Sequence, residues 1–239
     1  VLDAIILSDL HLGSDNCQAR PLAHVLESIL EGGRPTARLI LNGDVFDSID
    51  FRRLKKSHWR VLSLLRKLSD RLPIDWIIGN HDGPAEVVSH LLGVQVEQDL
   101  VLESGGRRIL VMHGHVFDDF IDNHPFLTYL GDCVYALLQR LDRSHSIARY
   151  AKSRSKTFLR CTRKIEEGSV ELARKKGCDA VCCGHTHVAR QNTDGPVPYF
   201  NSGCWTERPC SYLTVADGEV TVHAYEEAAA EAELEPALV

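Results

Sequence analysis

Five times along this 239-residue chain an apolar run that reads as a strand breaks into a loop carrying Asp, Asn or His. The runs are I-L-S-D-L-H-L-G (6–13), L-N-G-D-V-F-D (41–47), I-I-G-N-H-D (77–82), L-V-M-H-G-H (110–115) and C-C-G-H-T-H (182–187). Seven loop residues stand out: Asp9, His11, Asp44, Asn80, His113, His185 and His187. Any one of them reads as a polar strand cap or a satisfied histidine. Together they demand a fold in which five strand ends meet, because clustered polar groups repel or stay unpaired unless an ion joins them. The set offers only oxygen and imidazole donors. Without thiols it does not suit a structural zinc site, and it fits Mn2+, Fe or Zn2+ better than Mg2+. Two ions about 4 Å apart can hold one hydroxide between them and clamp a phosphoryl oxygen. One carboxylate must bridge them, and Asp44, central in the order of motifs, is the candidate.

The rest of the pattern supplies the frame. Strands are expected at 2–7, 37–41 and 73–78, alternating with helices at 21–31, 51–72 and 84–92. Ser104-Gly105-Gly106 marks a hairpin into a strand at 107–112. A helical stretch, 117–176, precedes further strands at 179–183, 188–193, 197–201, 210–216 and 219–225. Residues 226–239, rich in Ala and Glu, read as a solvated tail. The expectation is one domain over 1–225 with a helical insertion at 117–176, two packed sheets and helices outside. The eight cysteines contain no C-x-x-C pair and read as small core hydrophobes. No stretch approaches a membrane span and no signal peptide is visible, so a cytoplasmic location is expected.

The series D-x-H, G-D-x-x-D, G-N-H-D, H-G-H and G-H-T-H resembles the calcineurin-like metallophosphoesterases from Asp9 to His187. That resemblance implies an α/β four-layer αββα sandwich of two mixed sheets. It also implies two divalent metal ions, one held by Asp9, His11, Asp44 and His187, the other by Asp44, Asn80, His113 and His185. His81 would contact the substrate phosphate or protonate the leaving oxygen, and Asp47 would orient His81. Some members of this fold have lost their metals and serve as scaffolds, but all seven ligand positions and His81 persist here.

The insertion bears on the substrate. Its first half is rich in large apolar residues, and between Arg140 and Lys176 twelve Lys/Arg face four Asp/Glu, although the whole chain carries −6. Arg149, Lys152 and Lys156 recur at helical spacing and are the candidate substrate-binding cations. An apolar wall beside a basic stripe suits an amphiphile with a phosphate head, although a helical cap with solvated charges fits the periodicity equally. Positive charge confined to one insertion argues against a nucleic-acid partner. The S-D-L-H-L-G opening, the insertion, A-K-S-R-S-K (151–156) and Y-F-N-S-G-C-W-T-E (199–207) resemble the UDP-2,3-diacylglucosamine hydrolases. Those enzymes split a lipid-linked nucleotide sugar into UMP and an acylated sugar 1-phosphate. This implies peripheral contact with the inner membrane through the insertion. The chain departs from that group at His81, where its best-known members carry Arg, and at His115 and Cys204, where acids are frequent. A sister branch acting on another phosphorylated molecule is the alternative.

Overall fold

A computed structural model describes residues 1–84, 96–118 and 155–225. The expected short helix at 84–92, the tail at 226–239 and most of the insertion lie outside the described residues.

Eleven strands are described, in two sheets. The first is ordered β11-β10-β1-β2-β3-β4, built from β1 (Ala4–Leu7), β2 (Leu39–Asn42), β3 (Ile74–Ile77), β4 (Val96–Glu97), β10 (Ser211–Ala216) and β11 (Glu219–Ala224). The strands β1 to β4 run parallel, while β10 and β11 are antiparallel. The second sheet is ordered β5-β6-β7-β9-β8: β5 (Asp99–Ser104), β6 (Arg107–Met112), β7 (Ala180–Cys183), β8 (Arg190–Asn192) and β9 (Tyr199–Asn201). Here β6, β7 and β9 are parallel, flanked by antiparallel edges.

Three apolar clusters define four layers. Between the sheets, Ile6, Ile40 and Leu213 of the first meet Ile109, Val111 and Cys182 of the second. On the outer face of the first sheet pack α1 (Ala19–Glu31) and α2 (Lys56–Ser69), through Leu22, Leu26, Val61 and Leu68. On the outer face of the second lies α3 (Lys156–Lys175), with Ala173 buried among Leu110, Met112 and Val181. This is the αββα sandwich. Strands buried on both faces need no apolar–polar alternation, which is why A-I-I-L and A-V-C-C are continuous apolar runs. Each large aliphatic buried here contributes about 1.5–3 kcal/mol.

The long helix expected over 51–72 is broken. Phe51–Arg53 form a 3-10 turn capped by the Asp50 side chain, Leu54 and Lys55 are extended, and α2 begins at Lys56. The cause is tertiary: the buried His58 Nδ1 accepts the backbone N–H of both Lys55 (3.1 Å) and Gly13 (3.2 Å). That pins the helix start to the first motif, at a point periodicity alone would have run through. The helix α1 begins two residues earlier than expected and ends on Gly32 in the left-handed conformation (φ 84°), whose N–H bonds Ile29 O. Among the described residues no helix is long and apolar enough to cross a membrane, and the seven described cysteines are all free thiols, five of them buried.

Candidate metal centre

The parallel strands β1, β2, β3, β6 and β7 all end on the same side of the sandwich, and each candidate metal ligand lies one to four positions past such an end. Ligand sites form at carboxyl ends of parallel strands because the chain must turn there and its loops converge. Asn42 ties the two sheets together at this edge. Its Nδ2 donates to Met112 O (3.0 Å), and its own carbonyl accepts from His113 Nδ1 (2.9 Å).

The backbone is strained where the side chains matter. Asp9, His11, Asp44, His185 and His187 all have positive φ, between 46° and 66°. Non-glycine residues seldom adopt this conformation, and such outliers concentrate at functional sites where surrounding contacts overdetermine them. Among the described residues only Asp217, in the Asp217-Gly218 hairpin turn, shares it outside these loops. Close approach also needs glycine: a Cβ on Gly79 would collide with the backbone N and carboxylate of Asp44, and one on Gly43 with the His113 ring.

Donor atoms of Asp9, His11, Asp44 and His187 lie mutually within 4.8 Å, and so do those of Asp44, His113 and His185. Asp44 belongs to both groups. Its Oδ2 stands 3.6 Å from His11 Nε2 and 3.4 Å from His113 Nε2, between the two corners. Asp44 Oδ1 accepts the backbone N–H of His81 (2.9 Å). The Asp9 carboxylate takes the His185 N–H (3.0 Å to Oδ2) and faces His187 Nε2 at 3.1 Å. Asn80 is exposed in the loop after β3, next to His81.

A cation fits this donor set. His113 gives its Nδ1 hydrogen to the Asn42 carbonyl, which leaves a lone pair on Nε2. That nitrogen is fully buried and makes no hydrogen bond in the structure. A buried acceptor beside a carboxylate is costly unless a proton or a metal ion joins the two. His11 and His187 likewise bring their Nε2 atoms to 3.1 Å. The electrostatics carry the same message. Burial pushes the Asp9 carboxyl up, but the His187 and His113 imidazoles hold it at about 2. Burial also opposes charging His113, yet Asp44 and Asp9 raise it to about 9. Asp44, despite burial, is held well below the usual carboxylate range by His113 and His11. Without a metal, the imidazoles must supply positive charge as imidazolium.

Asp47 is arranged differently from the expectation. Its carboxylate faces His11 Nδ1 (3.5 Å) and pairs with Arg53 (2.6 Å), while its backbone carbonyl, not its side chain, meets His81 Nδ1 (3.1 Å). The 3-10 turn after Asp47 delivers Arg53 to the carboxylate, and donor atoms of Asp47, His11 and His81 still lie within 4.8 Å of one another. Sequence reasoning missed several supports. Asp82, fully buried, accepts Phe46 N–H (2.9 Å) and Gly79 N–H (3.0 Å), stapling the second loop to the third; burial and the nearby Asp44 raise its pKa. Ser8 donates to Asp9 Oδ2 (2.5 Å) and meets Ser202 Oγ. Asn201 donates to Gly184 O (2.7 Å), holding the fifth loop. The final D of G-N-H-D was the one signal available for these.

The five motifs fall inside the segment 3–189 that matches the calcineurin-like phosphoesterase family model. The chain belongs to the calcineurin-like phosphoesterases. It is therefore a metal-dependent phosphoester hydrolase. No curated protein sequence matches it. Similar solved structures include a predicted phosphoesterase of Streptococcus pneumoniae, 18% identical over 92% of this chain and 96% of that one, TM-score 0.43. The phosphoesterase Yfce of E. coli is 16% identical over 93% and 99%, TM-score 0.49. Wild-type Vps29 of Entamoeba histolytica, in complex with zinc, is 15% identical over 92% and 96%, TM-score 0.45.

Within this calcineurin-like phosphoesterase, Arg149 and Lys152 lie outside the described residues, and Lys156 is the first residue of α3. A cleft of about 360 Å³ opens beside His187, between the first two turns of α3 (Phe158, Leu159, Thr162) and the loops carrying Val188, Arg208 and Pro209.

Proposed function

We propose that this calcineurin-like phosphoesterase is a dinuclear hydrolase of phosphoric esters or pyrophosphates. The observation that carries the reading is the buried, unbonded Nε2 of His113 beside the one carboxylate, Asp44, shared by both donor groups. Asp9, His11, Asp44 and His187 would hold one divalent ion, and Asp44, Asn80, His113 and His185 the other, with Mn2+ the first choice. Ions bound there supply charge neutralisation for a phosphoryl group and acidify water. The protein's own part is positioning. Ser8 and the His185 N–H fix Asp9, Asn42 fixes the His113 tautomer, and Asp82 keeps the Asp44 and Asn80 loops together. His81 is exposed at the mouth, its ring set edge-on to His11 with centroids 4.9 Å apart. Its Nδ1 is engaged by the Asp47 carbonyl, so Nε2 is the nitrogen that meets a phosphoryl or leaving oxygen.

For the substrate we infer an amphiphilic nucleotide sugar, UDP-2,3-diacylglucosamine, met at the cytoplasmic face of the membrane. The motif resemblance and the basic, apolar insertion favour it, and the apolar cleft beside His187 is compatible with it. The test is release of UMP from that substrate with Mn2+ present; complete inactivity would sink the assignment. Turnover of bis-p-nitrophenyl phosphate or free nucleotides, independent of acyl chains, would support the second reading of a sister-branch phosphodiesterase or phosphatase. The His at position 81 favours that second reading.

A further inference from the structure

Asp118 stands where the chain leaves the fourth motif and enters the insertion, one residue past the 3-10 turn His115–Phe117. Its Oδ2 lies 3.0 Å from His185 Nε2, and both side chains are nearly buried, at 11% and 6% exposure. An ionised carboxylate only accepts hydrogen bonds. Nε2 must therefore carry the hydrogen, and the His185 lone pair resides on Nδ1. The same ring sits against His113 with centroids 5.2 Å apart, in the group where one donor atom each from Asp44, His113 and His185 falls within 4.8 Å. His185 is held from its other end as well, its backbone N–H bonding the Asp9 carboxylate.

We propose that Asp118 is the positioning residue of His185: it sets the ring's tautomer and orientation so that Nδ1 faces the Asp44–His113 corner, and it ties the entrance of the insertion to that corner. This rests on the dinuclear reading above. A carboxylate behind a ligating imidazole fixes its rotation and raises its basicity, and loss of such a partner typically weakens metal affinity about 10–100-fold. The support for His113 is different in kind, a backbone carbonyl inside the sandwich.

The test is a Mn2+ titration of the whole protein after chelator treatment, with free Mn2+ read by EPR, on the wild type, Asp118→Ala and Asp118→Asn. The wild type should bind two ions. Asp118→Ala should keep one at unchanged affinity and weaken the other about 10–100-fold, while Asp118→Asn, whose carbonyl still accepts from Nε2, should recover most of it. Nitrogen-15 shifts of His185 in the metal-free wild type should show hydrogen on Nε2. Hydrogen on Nδ1 alone, with Nε2 bare, or Asp118→Ala titrating like the wild type, would overturn the proposal. Asp118→Asn failing as badly as Asp118→Ala would overturn it too, because it would make Asp118 a ligand. A wild type that binds no second ion would instead refute the dinuclear reading itself.

Discussion

At the scale of single residues, the site separates groups that hold charge from groups that hold those groups. Asp44 belongs to the first kind. Shared by both donor sets and lying between His11 and His113, it is the residue whose loss both metal sites feel. Asp44→Ala should abolish bound Mn2+ and activity together, by metal analysis and turnover of bis-p-nitrophenyl phosphate. His81→Ala should instead retain both ions and slow turnover about 10²–10⁴-fold, the usual worth of a positioned general acid. A His81→Ala variant that loses metal would make the imidazole a ligand. Asp82 is of the second kind, and nothing about its sequence position distinguishes it from His81 next door. The distinction comes from direction: the Asp82 side chain turns inward to two backbone N–H groups, whereas that of His81 turns out to solvent.

At the scale of elements, α3 carries an instructive glycine. Gly168 lies mid-helix, where glycine costs roughly 1 kcal/mol relative to alanine. A Cβ there would strike the Phe117 ring. The missing side chain lets the 3-10 turn His115–Phe117 lie flat on α3, and that turn joins His113 to Asp118. Gly168→Ala should therefore gain helix propensity yet lower activity, because it lifts the segment that seats both His113 and Asp118. Comparing turnover with thermal stability checks this, and unchanged turnover would show that the turn is not held by this contact. The helix itself lies within the stretch that periodicity marks as helical, 117–176, but periodicity carries no sign of its glycine's contact with Phe117. The break before α2 was equally hidden, because its cause, His58 bonded to Gly13, joins residues 45 positions apart.

At the scale of the whole molecule, the metal-free protein should show the charge balance of the centre in its stability. His113, raised to about 9 against burial by Asp44 and Asp9, stabilises the fold fully below its ordinary value of 6.5, and that contribution is lost as pH rises through 9. Asp9, brought to about 2 despite burial, contributes above its ordinary 3.8 and loses that as pH falls through 2. Thermal unfolding after chelator treatment should therefore peak between about pH 4 and 6.5 and weaken toward pH 9, by a few kcal/mol at most. With Mn2+ restored, protons leave the site and the alkaline decline should disappear. A metal-free protein equally stable at pH 6 and pH 9 would mean that the His113–Asp44 pair does not hold the edges of the sheets together.

The sequence by itself determined the two packed sheets with outer helices and the two-metal donor set, and its motif series, through the resemblance it carries, implied the reaction class and the four-layer sandwich. Short continuous apolar runs bounded by turn signals fit strands buried on both faces, and Asp, Asn and His repeated at their ends cluster at low cost when a shared cation joins them. Tertiary structure decided which groups meet. It paired the Asp47 carboxylate with His11 and Arg53 and left its backbone carbonyl to bond His81, set Asp82 and Asn42 as ties between loops and sheets, and brought Asp118 to His185. Those contacts span up to 70 positions and depend on side-chain direction. Periodicity records which face of an element is buried, but not which neighbour it will find there.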